Sequence, residues 1–235
     1  MHEQQVVYRA GNLAYRLSFA DRKTLTISVL PDGTVEVSAP CDTPLARIEQ
    51  RIVARLPWID RQKAYFAQFM PRSPARQYVG GETHLYLGRQ YRLRLEQGED
   101  RNVRLYAGRL VVSVPEPDRP DRVREALEAW YAERARIRLP ERVALAQAQV
   151  RHLGLSHSDL TIRTLRRRWG SMSPAGRLTL NRDLIKAPIS SIDYVIVHEL
   201  CHLAHADHGP AFYRILQRLL PDWEARKARL ERLLA

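Results

Sequence analysis

Short alternating runs of apolar and polar residues open the chain. A broken run over 6–19, then Leu25-Thr26-Ile27-Ser28-Val29 and Val35-Glu36-Val37-Ser38, has the two-residue period of half-buried strands. Asp32-Gly33 stands between the last two and predicts a hairpin. Thr43-Pro44 then supplies a cap and a proline suited to a first helical position. Leu45, Ile48, Ile52, Leu56, Ile59 and Tyr65 follow at helical spacing, which predicts a helix to about residue 70, kinked or divided at Pro57. After a proline-marked loop at 71–74, alternating runs return at 83–87, 91–95, 103–106 and 110–114, separated by turns with glycine. The strand–turn–strand element recurs, yet no clear internal repeat emerges.

Residues 115–120 are rich in proline and charge, and the domain boundary is expected there. Beyond it the period becomes helical over 121–152, through Val123, Leu127, Trp130, Tyr131, Leu139 and Val143, with a break expected at Pro140. A strand over 160–165, a hairpin arm over 177–180 and helices from residue 190 complete the chain. The predicted class is α+β: a β-rich amino-terminal domain with one helix, 1–118, then a helical domain with a small sheet, 119–235.

Composition adds exclusions. A hydrophobic fraction of 45% and a charged fraction of 27% are ordinary globular values. Apolar stretches such as Tyr194-Val195-Ile196-Val197 are too short to span a bilayer, the amino end lacks the pattern of a secretory signal, and Cys41 and Cys201 make no disulfide framework. A cytoplasmic protein that does not enter the membrane is expected. Net charge is +12, from 38 basic and 26 acidic residues. The arginines are scattered, with Arg166-Arg167-Arg168 their single run of three, so solvated faces are favoured over a nucleic-acid stripe.

Chemistry concentrates in His198-Glu199-Leu200-Cys201-His202. Residues four apart share a helix face, so His198 and His202 can offer two imidazole nitrogens to one Zn²⁺. Glu199 is placed to reach a zinc-activated water without being a ligand, as a general base must. Such a motif arises by chance in a chain of this composition with a probability of roughly 0.02, and with a histidine six residues later of roughly 0.0005. That histidine is His208, favoured as third ligand because Gly209-Pro210 marks a helix stop and a new start. His205 competes, but three ligands from one rigid helix converge poorly. Asp207 reads equally as a partner of an imidazole or as a cap. Cys201 points to another face and reads as a buried apolar residue.

His198-Glu199-Leu200-Cys201-His202-Leu203 and His208-Gly209-Pro210-Ala211-Phe212-Tyr213, with Arg168-Trp169-Gly170-Ser171-Met172-Ser173 and Gly176-Arg177-Leu178-Thr179-Leu180-Asn181 upstream, resemble the YgjP-like metallopeptidase-type domain, a minimal zincin related to SprT-like proteins. The resemblance is strong over about 155–220 and loose elsewhere. It implies Zn²⁺ held by His198, His202 and His208, with Glu199 as acid and base. Met172 departs from a usual Cys, and Tyr213 from a common Trp. Arg168, Trp169 and Tyr213 are the substrate-contact candidates. Arg168 can hold an anionic group, and Trp169 either packs in the core or lies on a strand that takes up substrate by its edge. The expected activity is a zinc metallopeptidase. A metal-dependent nucleoside triphosphate hydrolase and a nucleic-acid-associated module are the alternatives, so the partner is a peptide or a nucleotide, with nucleic acid less favoured. Oligomeric state stays open.

Overall fold

The computed structural model describes residues 6–10, 13–30, 32–67, 76–165 and 168–234. Two compact units divide the chain, Met1–Ser73 and Pro74–Leu234.

In the first unit, β1 (Val6–Ala10), β2 (Leu13–Ala20), β3 (Thr26–Val29) and β4 (Val35–Pro40) form a sheet of order β1-β2-β4-β3, followed by α1 (Leu45–Ala67). Alternation sends Tyr15, Leu17, Val35, Val37 and Ala39 to one face, where Ile48, Ile52 and Ile59 of α1 cover them. The Asp-Gly turn joins β3 and β4 as expected. Gly33 takes a positive φ of 80°, and Asp32 accepts a 2.9 Å hydrogen bond from the Thr34 N–H. Pro31 and the loop at 71–74 lie outside the described residues. Pro57 neither divides α1 nor ends it.

The second unit begins with the same plan. β5 (Thr83–Tyr86), β6 (Arg89–Gln97), β7 (Asn102–Tyr106) and β8 (Arg109–Val114) have the order β5-β6-β8-β7, and α2 (Pro120–Val150) follows. In both sheets the central pair is parallel and the outer pairs are antiparallel. Registers correspond as well: Ser38 faces Thr26 as Ser113 faces Asn102, and Val37 faces Ile27 as Val112 faces Val103. The chain therefore carries a ββββα repeat that the alternation left unrecognised. Its sequence trace is Val35-Glu36-Val37-Ser38-Ala39-Pro40 against Leu110-Val111-Val112-Ser113-Val114-Pro115. A strand face constrains only every second residue, so the copies diverge freely at the others.

This repeat explains why the units part after Ser73 and not at the expected 118/119 boundary. Leu110, Val112 and Val114 of β8 share one core with Val123, Leu127 and Trp130 of α2. A sheet with one apolar face must be covered by the next element, so the polar 115–120 segment joins layers of one core. Pro140 likewise leaves α2 continuous, flanked by the buried Leu139 and Val143.

After α2, β9 (Asp159–Arg163), β10 (Gly170–Met172) and β11 (Arg177–Asn181) form a sheet of order β10-β11-β9. α3 (Ile189–Cys201), α4 (Pro210–Leu219) and α5 (Trp223–Leu234) complete the α+β fold. Among the described residues no helix is long and apolar enough to cross a membrane. α3 is buried on most sides through Ile192, Val195, Ile196, Val197 and Leu200. Arg142 of α2 grips Asp193 of α3 with two hydrogen bonds of 2.8 and 2.7 Å. The β5–β6 hairpin tip, Leu87-Gly88, donates both N–H groups to the Ile185 and Lys186 carbonyls, at 2.9 and 3.0 Å. Gly88 has φ +77°, and a Cβ there would lie 2.7 Å from Pro188 Cα, so only glycine lets the tip reach the start of α3.

Glu231 of α5 carries a buried Oε2 without a hydrogen-bond partner, and Lys227 Nζ lies 4.0 Å from its other oxygen. Burial pushes its carboxyl up to about 7. A folded pKa above the unfolded one stabilises below the unfolded pKa and forfeits that stability as pH rises through 7. Glu231→Gln is therefore expected to melt about 2–4 °C above the parent at pH 8, with the difference gone at pH 4. Thermal unfolding at the two pH values reads it, and a variant that melts lower at pH 8 contradicts the assignment.

Candidate metal centre

α3 carries His198 and Glu199 in its last turn, and His202 sits at the helix end with αR backbone angles. The chain then turns through 203–208, and Gly209-Pro210 opens α4. This reversal folds His208 back over α3. One nitrogen from each of His198, His202 and His208 lies within 4.8 Å of the other two, and Nε2 of His198 and His208 are 2.9 Å apart. Fully buried Phe212, one turn into α4, lies under all three rings, with centroid separations of 4.9, 4.7 and 4.8 Å.

Local contacts settle what these rings offer. His202 Nδ1 lies 3.1 Å from the His205 carbonyl, which can only accept, so Nδ1 is the donor there and Nε2 is the nitrogen left for the cluster. His205 thus orients His202 and lies outside the cluster. Burial first, then the neighbouring His208 and His202 rings, push His198 down to about 3, and its buried Nδ1 has no protein partner. His208 is lowered too, by burial and His202, against the opposing charge of Asp207. Three imidazoles packed nitrogen to nitrogen suit a borderline-soft divalent cation, for which they are preferred donors.

Glu199 is 8% exposed and lies outside this donor set. Burial pushes its carboxyl up to about 7, opposed by a hydrogen bond from the Met172 N–H and by the Arg168 charge. Its place depends on Gly170, where a Cβ would lie 2.8 Å from Glu199 Cγ and 2.9 Å from Oε1. β10 is an edge strand of its sheet. Trp169, Ser171 and Ser173 lie on the side hydrogen-bonded to β11, as the Asn181–Trp169 and Ser173–Arg177 bonds show, so Gly170 and Met172 turn their backbone polar groups away from it.

The other candidates fall into place around this core. Trp169 packs against the main core half-buried, so the packing reading holds for its ring while its strand lies at the sheet edge. Arg168 is exposed, with its carbonyl held by Asn181 Nδ2 at 3.1 Å; Arg166 and Arg167 lie outside the described residues. Tyr213, 39% exposed, stacks on Trp223 at 5.3 Å, and its ring centroid is 6.3 Å from that of His208. Cys201 is fully buried, its thiol pushed up to about 12. Two site residues escaped the reading of sequence. Phe212 could have been found from the spacing of Phe212 and Leu216 on an amphipathic helix, whereas the Met172 N–H carries no sequence signal.

The profile of the YgjP-like metallopeptidase domain matches residues 23–233. No curated protein matches the chain. Among solved structures, the metallopeptidase zymogen abylysin of Pyrococcus abyssi is similar over 38% of this chain and 87% of its own, with 22% identity and a TM-score of 0.33.

Proposed function

The chain belongs to the YgjP-like metallopeptidase domain family, and from that premise we propose that it is a zinc-dependent peptidase with Glu199 as general base. The observation that carries the reading is the convergence of the His198, His202 and His208 nitrogens beside a buried carboxylate that is not one of them. These three rings would hold the ion. When bound there, Zn²⁺ supplies a Lewis acid and makes hydroxide available near neutral pH.

The protein's own residues do the rest. Glu199 takes the proton of the attacking water and returns it to the departing amine. Gly170 gives the carboxylate room, and the Met172 N–H fixes its orientation. The outward polar groups of Gly170 and the Met172 carbonyl offer an extended substrate an edge to pair with, which favours a peptide over a phosphoanhydride. Arg168, whose charge acts on Glu199, and Tyr213, whose ring lies 6.3 Å from that of His208, are the residues proposed to contact the substrate.

A screen of the zinc-loaded protein against casein, a peptide library and nucleoside triphosphates tests the proposal. Peptide cleavage blocked by a hydroxamate is expected. Release of phosphate or pyrophosphate with no peptide cleaved would replace the proposal with a nucleotide hydrolase.

A further inference from the structure

The outer face of the β5-β6-β8-β7 sheet takes no part in the proposed chemistry. Its inner face, with Leu93, Leu110, Val112 and Val114, is spent on the core with α2. The outer face presents Arg92 and Arg94 from β6, Arg109 from β8 and Arg104 from β7, all exposed. Glu96 is its one carboxylate within the strands; it pairs with Arg94 at 3.1 Å and Arg104 at 3.0 Å. Four arginines against one glutamate leave the face at +3. Glu99 and Asp100 lie in the turn at the other end, where Gly98 packs on Ser113.

One row crosses the whole sheet. Thr83, Arg92, Arg109 and Tyr106 are successive register partners on β5, β6, β8 and β7. Neither Arg92 nor Arg109 has an acidic partner among the described residues, although they stand side by side on adjacent strands. Like charges so placed oppose sheet pairing, and among the described residues no carboxylate pairs with either of them. At the end of the row Tyr106 is 66% exposed, the most of any large hydrophobic side chain described. With strands about 4.8 Å apart the row is roughly 14 Å long, and the Arg94–Arg104 row lies about 7 Å from it.

We propose that this face binds single-stranded nucleic acid. Arg92 and Arg109 take backbone phosphates with their planar forks, Arg94 and Arg104 flank them, and Tyr106 stacks on an unpaired base. The free ring decides between partners. An acidic peptide would satisfy the arginines and leave Tyr106 idle, a duplex offers no open base face to a flat sheet, and a lipid surface calls for several apolar side chains where this row has one aromatic. The scattered arginines of the sequence thus conceal a patch that forms only when three strands align.

The test is fluorescence anisotropy of a labelled twelve-residue oligothymidylate with the full chain, titrated with salt. Binding should weaken linearly in log–log form as salt rises. Arg92→Glu and Arg109→Glu should each lower affinity at least about tenfold and flatten the salt slope by roughly 0.7 per phosphate lost. Arg92→Gln and Arg109→Gln should give smaller losses of the same kind. Tyr106→Ala should cost about tenfold and leave the slope unchanged. Arg55→Glu, an equal charge change on α1, should alter nothing. The proposal fails if no binding is found at low salt, or if Arg55→Glu weakens binding as much. It also fails if duplex, polyglutamate or phosphatidylserine vesicles bind more tightly than the single strand.

Discussion

Glu199→Gln is expected to cut peptide cleavage by about 10²- to 10⁴-fold while the protein still binds one zinc. The amide is nearly isosteric and cannot accept the proton, and residue 199 lies outside the imidazole cluster that would hold the ion. Metal content and turnover should therefore separate in this variant, and in no histidine variant. The environment of the side chain shows why its loss should be severe. A carboxyl buried to 8% exposure is costly to ionise, and the Met172 N–H and the Arg168 charge return part of that cost to the ionised form. Gly170→Ala should come close to the same defect without touching the carboxylate, because the new methyl would meet Glu199 at Cγ and Oε1 and must push it aside. Full zinc content with parent-like kcat in Glu199→Gln would remove the residue from the chemistry. Parent-like kcat in Gly170→Ala would show that the carboxylate tolerates displacement.

The pattern of the sequence conveys such a site unevenly. The two histidines four apart and a third beyond a Gly-Pro stop could be read because helix geometry and a proline start are local rules. The Asp-Gly hairpin was legible for the same reason. The α+β class followed from the change of apolar period after residue 114. What escaped was everything that depends on residues far apart meeting. The repeat hides because its signature is strand order and register, which are properties of pairing and leave only Val35-Glu36-Val37-Ser38-Ala39-Pro40 and its counterpart as a trace. The boundary was misplaced because a proline-rich segment signals solvent contact and says nothing of whether its neighbours share a core. Pro57 and Pro140 were read as breaks, yet each lies in a continuous helix whose neighbouring turns carry buried residues, Ile52 and Ile59 in α1, Leu139 and Val143 in α2. Gly170 could be read as a place of close approach, but only the fold reveals that the visitor is Glu199.

Phe212→Ala is expected to be the most damaging single truncation at the site, costing about 3–5 kcal/mol of stability. The ring is fully buried and lies within 4.9 Å, centroid to centroid, of all three imidazoles, so its removal opens a cavity directly beneath them. Rings without a floor can rotate, and zinc affinity should fall by about 10- to 100-fold, as when supporting partners of metal ligands are lost. Phe212→Leu keeps much of the volume and should cost less. Comparison with His208→Ala separates packing from metal binding. His208 is exposed, so its truncation should leave the zinc-free protein close to the parent and should abolish the gain on zinc loading, about 4 kcal/mol at a thousandfold excess over Kd. Phe212→Ala should instead lower the zinc-free protein by the packing cost and the zinc-loaded protein by about 1.4–2.7 kcal/mol more, the equivalent of the weaker binding. Urea unfolding of the parent and both variants, with and without zinc, measures these terms together. A Phe212→Ala protein that loses stability only when zinc is present would mean that the ring supports the ion and not the core.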